Sequence, residues 1–161
     1  LYMPHEGEIL LNGKEYENYD VDALRRQFNV VFQDCQAYAI SIAENILLRE
    51  IKTKEDEENV WRALKIVGPK SYVEGLPNGI NSIMTKEFTE DGIVLSGGQM
   101  QKLLLARIFV NDAQIIVLDE VTSAMDAISE NEIYDEIEKY AKDKMLIYIS
   151  HNLMLLLSSG F

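Results

Sequence analysis

Leu95-Ser96-Gly97-Gly98-Gln99, followed some way downstream by Ile115-Ile116-Val117-Leu118-Asp119-Glu120, decides how this chain is read. At average residue usage LSGGQ arises by chance about once in a million positions, so one copy in 161 residues is a signal and not noise. A serine and two glycines ahead of the helical stretch Met100 to Val110 place a hydroxyl and bare backbone N–H groups at a helix N-terminus, where partial positive charge attracts phosphate. The second run is apolar throughout and ends in two acids. That is the pattern of a central parallel strand, buried on both faces, whose carboxyl end carries the ligand chemistry of an open α/β sheet.

The rest of the chain alternates strands and helices without repeats. Glu8 to Leu11 reads as a short strand closed by the turn pair Asn12-Gly13, and Asp20 is placed to cap a helix from Val21 to Gln27. Phe28 to Phe32 is rich in strand formers. Ser41-Ile42-Ala43-Glu44 matches a capping box and predicts a helix through about Leu48. Lys54 to Val67 is amphipathic, with Val60, Trp61, Leu64 and Val67 at helical spacing and Gly68-Pro69 as the stop; Trp61 is expected to pack inside this helical region. Gly75 to Asn81 reads as a turn region. A helix Ser129 to Lys142 and a strand Met145 to Ile149 complete the pattern, which implies an α/β fold with a parallel sheet.

Composition limits the function classes. With 47% hydrophobic and 26% charged residues the chain is ordinary globular material, expected to form one domain. A net charge of −12 argues against a nucleic-acid partner, which needs clustered Lys and Arg. A single cysteine, Cys35, excludes an internal disulfide and suits a reducing compartment. The longest apolar runs are too short to span a bilayer, so any transport path is expected on another segment or chain. His5 and Cys35 carry no motif and read as structural or incidental.

These motifs resemble the signature sequence and Walker B strand of the nucleotide-binding domain of ATP-binding cassette (ABC) transporters. The resemblance covers about Gly7 to His151 and implies a partial RecA-like P-loop NTPase core (residues 1–39 and 95–161) with an inserted α-helical subdomain at about 40–94. It implies ATP and Mg2+ as ligands. Glu120 then orients and polarises the attacking water, Asp119 supports the magnesium through water, and Gln33 matches the Q-loop glutamine that touches metal and water. His151 matches the switch histidine, and Ser123-Ala124-Met125-Asp126 matches the D-loop, with Asp126 reaching across a subunit boundary. Ser96, Gly97, Gly98 and Gln99 form the half-site that closes on the γ-phosphate. Without the shared order of motifs, a Gln or His at a strand end is ordinarily a solvated loop residue; in that order each acquires a role.

The phosphate loop of such an ATPase, G-x-x-x-x-G-K-[ST], does not occur in these 161 residues. Gly7 to Glu15 approaches it, but with five residues between the glycines and an acid where Ser or Thr must meet magnesium. The expectation is therefore a fragment, inactive alone, of an ATPase that works as a head-to-tail homo- or heterodimer. Ser41 to Ile46 and Glu90-Asp91-Gly92 resemble the segments by which exporter-type cassettes touch the coupling helices of a transmembrane domain. That implies export, at the cytoplasmic face of the cell membrane. In the family the phosphate-loop strand lies beside the one matching Met145 to Ile149, so without that strand this edge is expected to self-associate or to be covered by Asn152 to Phe161. Two alternatives remain open: a soluble cassette ATPase of DNA repair, chromosome structure or translation, and an interaction module that keeps the fold without hydrolysis.

Overall fold

A computed structural model of the chain describes residues 6–33, 35–122 and 125–149. The first element is a small antiparallel hairpin, β1 (Leu10–Leu11) with β2 (Lys14–Glu15), turned at Asn12 and Gly13, both at positive φ. The approach to a phosphate loop there is indeed a hairpin turn. Helix α1 (Val21–Arg26) follows, its Asp20 cap accepting the Ala23 N–H at 2.8 Å, and leads into β3 (Phe28–Val31).

Next come α2 (Ile42–Leu47), α3 (Lys54–Val67) and α4 (Lys70–Glu74). Capping boxes start α2 at Ser41 with Glu44, and α3 at Thr53 with Asp56; α3 ends on Gly68 in the left-handed region. Reciprocal caps of this kind satisfy N–H groups that have no partner inside the helix, worth about 1 kcal/mol each. The sequence pattern did not predict α4. Pro69, placed as a stop for α3, also serves as the N-cap of the next helix, because a fixed φ suits a helix start as well as it ends one. A short bridge between Ser41 and Ile83 ties the segment after α4 back onto the start of α2, and another between Met84 and Ile93 closes that segment on itself.

The signature helix α5 (Gly97–Leu105) begins three residues earlier than the expected Met100, since Ser96 and Gln99 form the capping box and pull both glycines into the first turn. It continues directly into a 3-10 turn, Ala106–Phe109. Strand β4 (Ile115–Asp119), helix α6 (Ala127–Tyr140) and strand β5 (Met145–Ile149) complete the described chain. Helix α6 starts two residues before the expected Ser129, because Asp126 is its cap.

Strands β3, β4 and β5 form a parallel sheet in that order, with Val30 opposite Val117 and Val117 opposite Ile147. Parallel register puts Asn29, Ile116, Leu146, Val31, Leu118 and Tyr148 on one face, against the core built from α2, α3, α5 and α6. In α3, Val60, Ala63, Leu64 and Val67 are buried in that core, and Trp61 packs against it. The central strand is the apolar run its composition suggested, with Ile115, Ile116 and Leu118 buried. The outer strands are covered on one face: Phe28, Val30, Met145, Ile147 and Ile149 are exposed on the other. Asn152 to Phe161, the segment expected to cover the edge of β5, lies outside the described residues.

Candidate functional site

Two acids and a glutamine meet at the carboxyl ends of β3 and β4. Asp119 closes β4 on the open face of the sheet, in register with Ile149 of β5. Glu120, the next residue, leaves the strand with φ 47°, a left-handed conformation that costs a non-glycine residue on the order of 1 kcal/mol and clusters at functional sites. Its N–H still bonds the Ile149 carbonyl at 2.9 Å, so the ladder runs one step beyond the strand while the chain turns away. The carboxylate then accepts a hydrogen bond from Gln33 Nε2 at 2.6 Å, linking residues 87 apart in sequence. A carboxylate can only accept, so Gln33 spends its amide N–H on Glu120 and keeps Oε1 as its acceptor end. Behind this pair, Thr122 Oγ1 bonds Glu130 Oε1 at 2.7 Å and lies 3.0 Å from Tyr134 Oη, which pins the chain after Glu120 to α6.

The second constellation sits at the start of α5. Ser96 Oγ accepts the Gln99 N–H and Gln99 Oε1 accepts the Ser96 N–H, at 3.3 and 3.2 Å. These side chains are therefore occupied by capping, and the backbone N–H groups of Gly97 and Gly98 belong to the first turn, where the helix offers no acceptor. Ser96, Gly98, Gln99 and Lys102 share a recess of about 210 Å³ with Met125 and Asp126. Asp126 accepts the Ser129 N–H at 3.0 Å, and the main-chain and side-chain hydrogen bonds of Ser129 hold its carboxyl below the usual carboxylate range, so it is an anion at neutral pH. Lys102 Nζ bonds Ser129 Oγ at 2.9 Å and adds a cation beside the recess.

The structure thus brings Gln33, Asp119 and Glu120 together, and separately Ser96, Gly97, Gly98, Gln99 and Asp126. The recess at α5 contains none of the first three. His151 and His5 fall outside the described residues, as do Ser123 and Ala124 of the D-loop match. No cluster of three or more His, Cys, Asp or Glu able to hold a metal ion occurs among the described residues. One carboxylate and one amide oxygen are too few to cage a cation alone, and fit a magnesium ion whose other ligands are substrate phosphates and water.

Sequence reasoning passed over Arg107 and read Cys35 as structural or incidental; the structure joins the two. The Arg107 guanidinium, buried beneath the segment that follows Gln33, donates to Cys35 Sγ. A charged residue inside the otherwise apolar run Leu103 to Val110 was the available signal.

The order of strands, the acids ending β4 and the capped glycine turn describe part of a P-loop ATPase core with an α-helical insertion. The chain belongs to the ABC transporter family, whose sequence pattern matches residues 1–123. It is 36% identical over 152 residues to the ATP-dependent lipid A-core flippase of Pseudomonas aeruginosa, covering 94% of this chain and 24% of that protein. It is 37% identical to a putative multidrug export ATP-binding/permease protein of Staphylococcus aureus, with 94% of this chain and 25% of the relative covered. Against ABC transporter B family member 14 of Arabidopsis thaliana the identity is again 37%, over 94% of this chain and 12% of that one. The fold superposes on the structure of a bacterial Atm1-family ABC exporter with ATP bound at a TM-score of 0.81 and 29% identity, covering 98% of this chain and 27% of that one. The chain therefore spans about a quarter or less of the length of these relatives. No helix among the described residues is long and apolar enough to cross a membrane.

Proposed function

We propose that this chain is part of the ATP-hydrolysing domain of an exporter, acting at the cytoplasmic face of a cell membrane and coupled to a transmembrane domain. The division into core residues 1–39 and 95–161 with a helical subdomain at about 40–94 belongs to this reading. The observation that carries it is the 2.6 Å bond between Gln33 and Glu120 at the carboxyl end of parallel strands. A carboxylate and an amide joined there, with Asp119 next in the chain, support a site for a nucleotide's terminal phosphate and its water.

Within this reading, Glu120 accepts a proton from the attacking water while Gln33 holds the carboxylate in place. Asp119 and the Gln33 carbonyl oxygen would hold a magnesium ion, which would supply neutralisation of phosphate charge. His151 is assigned to the γ-phosphate side of the same site. The N–H groups of Gly97 and Gly98, with Ser96 and Gln99 shaping the turn, address the phosphate of a second nucleotide-binding domain, and Asp126 beside them reaches across the boundary. Separation of the two constellations on one chain supports a head-to-tail pair, since each would complete the other's site. Phosphate release by purified transporter containing this chain tests the reading: magnesium-dependent ATP hydrolysis is expected, and its absence refutes it.

The 161 residues alone lack the lysine and the amide cradle that hold β- and γ-phosphates. They are expected to bind ATP weakly and not to hydrolyse it. Calorimetry checks this, and a dissociation constant of about 1 μM, equivalent to about 8 kcal/mol of binding, would contradict it.

A further inference from the structure

Arg107 is 7% exposed and, among the described residues, has no carboxylate within ion-pair distance. Burying a guanidinium is expensive, so its donors call for acceptors. Its acceptors converge on one stretch of chain. Nε donates to the Asn45 carbonyl at 2.8 Å, Nη1 to Cys35 Sγ, and Nη2 to the Gln36 carbonyl at 3.4 Å. Asn45 extends the hold, its Oδ1 accepting the Tyr38 N–H at 2.8 Å and its Nδ2 donating to the Tyr38 carbonyl at 2.9 Å. On the other side of Gln33, Asn29 of β3 donates from Nδ2 to the Arg107 carbonyl at 3.0 Å and the Ile108 carbonyl at 3.3 Å. Gln33 is thus bracketed, four residues before and two after, by groups bonded to Arg107, which itself lies in the 3-10 turn that ends the signature helix.

We propose that Arg107 is a positioning residue: it fixes the segment 29–36 to the end of the signature helix and so holds Gln33 against Glu120. The inference rests on the proposed ATPase reading. An arginine is needed because three acceptors in different directions match a planar fork, whereas a lysine offers a point charge on a flexible stem. The same link joins the glycine turn at the start of α5 to the acid–glutamine pair through one short run of helix, giving the two constellations a common mechanical support.

The test uses the whole transporter. Arg107→Lys is expected to lower kcat by about tenfold or more, with KM for ATP changed less than about twofold and the melting temperature little moved. In a Gln33→Ala background the same substitution should cost less than about twofold, because the residue through which it acts is gone. Amide exchange of the peptide 30–38 should rise by about tenfold in Arg107→Lys while that of β4 stays unchanged. If Arg107→Lys does not fold, Cys35→Ala removes one acceptor and should raise exchange of the same peptide by about threefold. Parental kcat in Arg107→Lys, losses that multiply in the double variant, or unchanged exchange would each overturn the proposal. A parent without turnover would refute the ATPase reading instead, and the exchange measurement, which needs no turnover, would still decide whether Arg107 holds the segment.

Discussion

Glu120→Gln in the complete transporter is expected to leave ATP binding intact and to lower turnover by at least about a hundredfold, a barrier increase of about 2.7 kcal/mol. The substitution preserves size and exchanges a carboxylate oxygen for an amide group. Gln33 Nε2, now 2.6 Å from Glu120 Oε2, still finds an acceptor in the carbonyl of the new amide, so the local geometry survives. What disappears is the base: an amide cannot take a proton from water at neutral pH. Loss of the chemical step with retained binding should accumulate the ATP-bound, closed pair, which separates this outcome from misfolding. Single-turnover phosphate release and nucleotide retention after rapid desalting measure the two quantities. A rate within about threefold of the parent, well under 1 kcal/mol of barrier, would remove Glu120 from the role assigned to it.

Gly92→Ala is expected to destabilise the protein by about 2–4 kcal/mol, at the upper end of what a single methyl group can do. A Cβ at this position would lie 1.8 Å from the Thr85 carbonyl oxygen, 2.7 Å from the Thr85 carbonyl carbon and 3.2 Å from Lys86 Cα. All three atoms are backbone, so no rotamer change relieves the overlap. Thr85 has little room to retreat: its N–H bonds the Ile93 carbonyl at 2.9 Å, the Ile93 N–H bonds the Ile83 carbonyl at 2.9 Å, and its own φ is already 69°. The alternative to a clash is to open this pairing, which would expose Met84, now fully buried, and loosen the approach to Leu95 and the signature turn. A drop in the urea midpoint at constant slope is the measurement, and a variant within about 0.5 kcal/mol of the parent would show that the close approach is not maintained in solution.

Much of this was legible from one-dimensional pattern because the physics involved is local. Ser41 with Glu44 and Asp20 ahead of α1 are caps whose partners lie three residues away, so residue type and spacing suffice to identify them. The run Ile115 to Leu118 announces a buried parallel strand by composition alone, and Asn12-Gly13 a tight turn. Even there, local pattern misplaced the starts of α5 and α6. A helix begins at its cap, and the capping roles of Ser96 and Asp126 emerge only when the backbone turns their oxygens onto N–H groups at Gln99 and Ser129.

The sequence by itself determined the α/β alternation, the caps at Asp20 and Ser41 and the set of residues proposed to carry phosphate chemistry, since each follows from neighbours along the chain. Tertiary structure alone decided which of them meet. Gln33 and Glu120 come within 2.6 Å because β3 and β4 pair in parallel with Val31 opposite Leu118, and strand register is a long-range property that no short window contains. The same holds for Arg107, whose neighbours in sequence are apolar core residues and whose acceptors, Cys35, Gln36 and Asn45, lie more than sixty residues upstream. Its purpose is invisible until the sheet and the helices close around it, because a buried charge is defined by what satisfies it and not by where it stands in the chain.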